Sequence, residues 1–336
     1  MRVIAAALAW LQMILFTASG FVFSDSVHRV QDIYDPVATA FERHPGADPW
    51  YYAYDGKYYY CYASGEGVGV KTADSIAGLY EAEHHQVFEA PRDTPYTHSW
   101  WAPELHCIDG VWYIYVAADD GNNETHRMYV LRSDDPVGSY TFCGKVSSPD
   151  DHWAIDGTVF EFGGDLYMIW SGWEDDPDAG QNLYIAGMSD PLTISTERVC
   201  ISRPERKWER KGAPINEGPE VLTTDKGLFV IYSASGSWTD DYCLGMLRLI
   251  GDDPMCGDAW RKCPLPVFSG RKGAYGPGHG SFVTDFETGA RYLVYHANEE
   301  SGTGWYGRSI RLQKFRVVCG VPVFGRPVTG SRLFES

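Results

Sequence analysis

Five short strings set an acid or a histidine beside proline or glycine: Ala47-Asp48-Pro49, Trp101-Ala102-Pro103-Glu104, Ile155-Asp156-Gly157, Asn216-Glu217-Gly218-Pro219-Glu220 and Gly276-Pro277-Gly278-His279. Any one alone reads as a turn former. Gathered in one place among aromatic side chains, the same acids are costly to keep unless they are paired or used. Two convergent carboxyl groups suit the hydrolysis of a glycosidic bond: one protonates the leaving oxygen while the other activates water. A third acid nearby holds the proton donor neutral by like-charge repulsion and orients it. Within the fourth string the proton donor is Glu217 or Glu220. In an extended segment an odd offset sends the two to opposite faces, which favours Glu217.

What brings these strings together is a repeat. Five times a turn signal is followed by a short aromatic and aliphatic run ending in a small residue: Tyr58 to Ala63, Trp112 to Ala117, Leu166 to Ser171, Leu228 to Ser233 and Tyr292 to Ala297. The closing residues 63, 117, 171, 233 and 297 lie 54, 54, 62 and 64 apart. Repeats of this size, made of short strands and hairpins, predict the blades of an all-β, five-bladed β-propeller forming a single catalytic domain. Runs that are apolar throughout, rather than alternating, fit strands covered on both faces. A propeller collects the starts of its innermost strands around one central pocket. The residue just upstream of each hairpin is therefore offered to a shared site.

The five strings, in this order, together with Ala117-Ala118-Asp119-Asp120-Gly121-Asn122 and Gly307-Arg308-Ser309-Ile310, resemble glycoside hydrolase family 43 over roughly residues 45–328. The resemblance implies a five-bladed propeller and inverting hydrolysis by single displacement. Asp48 matches the general base, Glu217 the general acid, and Asp156 the carboxylate that raises and positions the acid. It also implies a substrate-binding set of Arg308, Trp101, Glu104, Trp173 and His279. In some members a hydrated calcium ion lies near the histidine matching His279, so a structural calcium is an expectation here, with no cofactor required. Trp100 and Trp305 join Trp101 and Trp173 as side chains suited to stacking on sugars or to core packing. Family members act on α-L-arabinofuranosides, β-xylosides, arabinan and galactans. The favoured reading is an exo-acting α-L-arabinofuranosidase on arabinose- or xylose-containing polysaccharides and oligosaccharides, with a β-xylosidase or an exo-galactanase as alternatives. A non-catalytic propeller lectin is the alternative of another class, but it would repeat one binding set in every blade, and these five strings differ.

Composition narrows the partners. With 45 acids against 28 bases and a net charge of −17, the chain lacks the basic face that nucleic acid or an anionic membrane requires. Val3 to Phe16 is apolar except for Gln12, follows Arg2 and precedes Thr17-Ala18-Ser19-Gly20, the pattern of a secretory signal peptide. The expected divisions are a signal peptide at 1–20, a lead-in at 21–45, the propeller at 46–328 and a tail at 329–336, in a secreted protein. Eight cysteines permit disulfides, with Cys256 and Cys263 the best local pair and Cys61 a buried thiol. Asn123-Glu124-Thr125 is the one N-glycosylation sequon and marks a surface loop.

Overall fold

The computed structural model describes residues 44–175 and 180–329. The expected signal peptide, most of the lead-in and most of the tail lie outside them. Strand β1 (His44–Pro45) is followed by five antiparallel sheets. Blade 1 holds β2 (Trp50–Tyr54), β3 (Lys57–Ala63), β4 (Gly67–Ala73) and β5 (His85–Glu89). Blade 2 holds β6 (His98–Ile108), β7 (Val111–Asp119), β8 (Arg127–Ser133) and β9 (Thr141–Lys145). Blade 3 runs from β10 (Ala154–Phe162) through β11 (Asp165–Gly172) and β12 (Asn182–Asp190) to the short β13 (Thr193–Ile194) and β14 (Val199–Ser202). Blade 4 has β15 (Asn216–Thr224), β16 (Gly227–Ala234), β17 (Cys243–Leu249) and β18 (Trp260–Lys262). Blade 5 has β19 (Tyr275–Thr284), β20 (Arg291–Asn298), β21 (Arg308–Val318) and β22 (Val321–Val323). The ring is closed by β1, which pairs antiparallel with β21 through His44↔Ile310 and Pro45↔Ser309.

The repeated apolar runs are the second strands, β3, β7, β11, β16 and β20. Their lack of alternation has a direct cause. In β16, Leu228, Val230 and Tyr232 pack toward blade 3, while Phe229 and Ile231 pack toward blade 5. In β7, Trp112 and Ile114 face blade 1, and Tyr113 and Tyr115 face blade 3. The core is therefore five separate clusters, one at each junction between neighbouring blades, the last joining blades 5 and 1. The abundance of Tyr and Trp fills these wedge-shaped junctions, since large flat rings cover wide sheet faces.

All eight cysteines are free. The expected Cys256–Cys263 bridge is not formed. Cys263 is turned into the junction between blades 4 and 5, whereas Cys256 stands exposed at a turn. Cys61 is fully buried between blades 1 and 2. Among the described residues no helix is long and apolar enough to cross a membrane.

Candidate active site

Each blade breaks its first strand at one equivalent place. Asp48, Ala102, Asp156, Gly218 and His279 all have left-handed backbones, with φ of 48°, 45°, 55°, 49° and 45°. In blades 2 to 5 this residue sits where the ladder slips, between Trp101 and Glu104, Ile155 and Thr158, Glu217 and Glu220, and Gly278 and Ser281. Left-handed φ costs a non-glycine residue about 1–3 kcal/mol, and such strain collects at working sites. The kinked position itself presents Asp48, Asp156 and His279 to the cavity, whereas in blades 2 and 4 it falls on Ala102 and Gly218 and the residues just before them, Trp101 and Glu217, line the cavity. Each of the five strings thus carries one such strained position.

A cavity of about 570 Å³ opens over this ring. Asp48, Asp156, Glu217, His279 and Arg308 all line it. Trp101, Trp153, Trp173, Trp238 and Trp305 wall it. Trp153 and Trp173 stack flat on each other at 4.4 Å, and Trp101 lies over His126 at 4.1 Å. Trp100 is instead a core residue, 3% exposed and donating to the Tyr96 carbonyl at 2.8 Å. Asn123 of the sequon stands exposed at the cavity's edge, and the Thr125 hydroxyl donates to Asp120 at 2.7 Å.

Electrostatics separates the acids. Burial pushes the Asp48 carboxyl up, but His279, His296 and Arg308 together outweigh it and hold the group well below the usual carboxylate range. The contacts are 3.3 Å from His279 Nδ1, 3.4 Å from His296 Nδ1 and 3.5 Å from Arg308 Nη1, all to Asp48 Oδ1. Its own amide donates to His296 Nδ1 at 3.2 Å. That bond requires the neutral ring, and burial does push His296 down to about 3. Glu217 goes the other way. Burial pushes it up to about 7, with the negative charge of Asp48 adding to the effect. A hydrogen bond from Tyr242 Oη to Glu217 Oε1 at 2.7 Å opposes the rise. Asp156 is also raised, first by burial and then by the charges of Glu217 and Asp48. One carboxylate that stays ionised therefore shares a cavity with two acids that hold their protons more tightly than an ordinary carboxyl group.

Two positions beyond each strained residue stand Trp50, Glu104, Thr158, Glu220 and Ser281, all buried. This second ring explains why Glu104, expected around the sugar, does not line the cavity: it lies two ladder positions beyond Trp101 along β6, with Oε2 3.1 Å from His106 Nε2. It also corrects the face argument for Glu220. Glu217 pairs with Ser233 and Glu220 with Ile231, so the bulge turns an odd sequence offset into an even ladder offset and both acids occupy one face. Depth along the strand, not facing, separates them. Glu217 reaches the cavity, and Glu220 is buried beyond it with Oε2 unpartnered.

The expected calcium is a hydrated ion near His279, held through water rather than by a full set of direct protein ligands. The space between the two rings, lined by Glu104, Gly218 and His279 among others, measures about 10 Å³, enough for roughly one water. Calcium takes about six to eight oxygen ligands. Among the described residues, no three or more His, Cys, Asp or Glu side chains are grouped to hold a metal ion directly. No chemical step below uses one.

Several members of the site escaped the sequence reading. Tyr242 lies outside the repeated strings and carries no positional signal. His296 had one: it is the polar break in the fifth apolar run, between Tyr295 and Ala297. Trp153 and Trp238 sit in loops whose placement depends on the blades.

Comparison with known proteins agrees with this architecture. Residues 36–320 match the family model described as Glycosyl hydrolases family 43. The extracellular exo-α-(1→5)-L-arabinofuranosidase of Streptomyces avermitilis is 36% identical over 84% of this chain, which spans 62% of that protein's length. The α-L-arabinofuranosidase B of Pyricularia oryzae is 34% identical over 82% of this chain and 60% of its own. Among solved structures, the α-L-arabinofuranosidase of Lactobacillus brevis superposes with a TM-score of 0.80 at 32% identity, covering 87% of this chain and 96% of that one.

Proposed function

The chain belongs to glycosyl hydrolases family 43, and we propose that it is a secreted, inverting exo-α-L-arabinofuranosidase that removes arabinofuranosyl units from plant cell-wall polysaccharides. The observation that carries this reading is the opposite bias of two carboxyl groups on one cavity, Asp48 held ionised and Glu217 pushed up to about 7. Relatives named as α-L-arabinofuranosidases support the sugar, and the word extracellular in the Streptomyces name supports secretion. The apolar segment at 3–16 supports it independently.

In the proposed reaction Asp48 removes a proton from a water poised below the anomeric carbon. The water oxygen bonds to that carbon as its bond to the glycosidic oxygen breaks, and Glu217 gives its proton to the departing oxygen. The sugar leaves with inverted configuration, Asp48 protonated and Glu217 ionised, and exchange with solvent restores both. Asp156 is the positioning acid: its Oδ2 accepts from the amide of Gly218 at 2.9 Å, which fixes the backbone immediately after Glu217. Arg308, bonded to Asp48 and to the Ser237 carbonyl at 3.1 Å, keeps the base charged and presents its guanidinium to sugar hydroxyls.

A panel of nitrophenyl glycosides tests the reading. Release from the α-L-arabinofuranoside well above that from β-xyloside and β-galactoside is expected. Preference for either of the latter would reassign the sugar, and binding without turnover of any would make the protein a lectin.

A further inference from the structure

Three of the tryptophans on the cavity are exposed: Trp101 at 39%, which lies over His126, and two that pack against each other. Trp238 is 44% and Trp305 55% exposed, and their rings meet edge to face at 5.8 Å and 81°. Large indole surface left to water at the mouth of a cavity marks a contact site. The loops that carry them are tied together beneath the rings. Trp305 Nε1 donates to Ser237 Oγ at 3.0 Å, Gly302 N donates to Asp240 Oδ1 at 3.0 Å, and Ser301 Oγ bonds Asp240 Oδ2. Arg308 Nη2 anchors the same loop through the Ser237 carbonyl. Gly236 leaves the space that Trp238 occupies, since a Cβ there would meet the indole at 2.8 Å. The pair is therefore held in place before any ligand arrives, which spares the ordering cost of binding.

Its position in the ring of blades gives it a partner. Trp238 lies in the loop joining β16 to β17, so it caps the blade whose first strand supplies Glu217. In a single displacement, the leaving oxygen must face the proton donor and the water must approach from the opposite side. The sugar that departs therefore travels toward the blade of Glu217 and over its loop. Resting on the proposed glycosidase reading, we infer that Trp238 and Trp305 form the binding site for the leaving-group sugar, the unit on the reducing side of the scissile bond in an α-1,5-linked arabino-oligosaccharide.

The test compares arabinotriose with methyl α-L-arabinofuranoside, whose leaving group has no ring to stack. Trp238→Ala and Trp305→Ala should lower the ratio of kcat/KM on the trisaccharide to that on the methyl glycoside at least tenfold, through KM. Trp238→Phe, which keeps a ring, should keep the ratio within threefold of the parent. Loss of activity on both substrates in equal proportion, or no loss at all, would overturn the assignment while leaving the glycosidase reading standing. A parent enzyme that cleaves neither substrate would overturn the glycosidase reading itself.

Discussion

The amide of Gly218 in blade 4 donates to Asp156 Oδ2 of blade 3 at 2.9 Å, across 62 residues of sequence. Because Gly218 directly follows Glu217, this bond couples the placement of one acid to the side chain of another. It also depends on Gly218 being glycine. Its φ is +49°, and a Cβ would lie 3.1 Å from His279 Nδ1. Asp156→Asn keeps an acceptor oxygen for that amide and Asp156→Ala does not. Both should lower kcat on arabino-oligosaccharides with little change in KM, the alanine variant by about tenfold more. Equal kcat values for the two variants would remove the positioning role.

Glu217 as proton donor makes its importance depend on the leaving group. Glu217→Gln should cut kcat/KM on arabinobiose by about 10²–10⁴-fold and on a dinitrophenyl arabinofuranoside by less than about tenfold. Comparable losses on both substrates would assign the proton to another group.

Tyr242 donates to the ionised form of Glu217 and so opposes its raised pKa. The acid works only while protonated, so activity should fall as pH rises through about 7. Removing the hydroxyl in Tyr242→Phe withdraws support from the ionised form. The alkaline limb of the kcat/KM profile should then move to higher pH, and a move to lower pH would contradict the assignment.

Glu220 reports on stability rather than turnover. Burial raises its folded pKa above the ordinary carboxylate value. The folded state therefore favours the protonated form, and that favourable contribution is full below the unfolded pKa and lost as pH rises through the folded one. Glu220→Gln supplies a neutral side chain of the same shape. It should raise the melting temperature at pH 8 by a few degrees, about 1–3 kcal/mol, and change it little at pH 4. A loss of stability at pH 8 would show that the ionised carboxylate has a partner.

The sequence disclosed the blades and the ring of acids for a shared physical reason. Each blade needs a hairpin turn, a strand covered on both faces and a kinked start, and all three leave local marks such as Asp55-Gly56, the run Tyr58 to Ala63, and Asp48-Pro49. The bulges were not legible, because they show only in which residues pair across strands. Hence the ladder parity of Glu217 and Glu220 came out reversed, and Glu104 was expected in the cavity rather than beyond it. Tyr242 and Trp238 reach the site from loops whose course is set by contacts with neighbouring blades, as in the bond from Trp305 to Ser237.

The central claim is that Asp48 and Glu217 act on opposite sides of one glycosidic bond. Proton NMR of the sugar first released from an α-L-arabinofuranoside, recorded before mutarotation, tests it most directly. The account predicts β-L-arabinofuranose as the initial product, and initial release of the α anomer would contradict it.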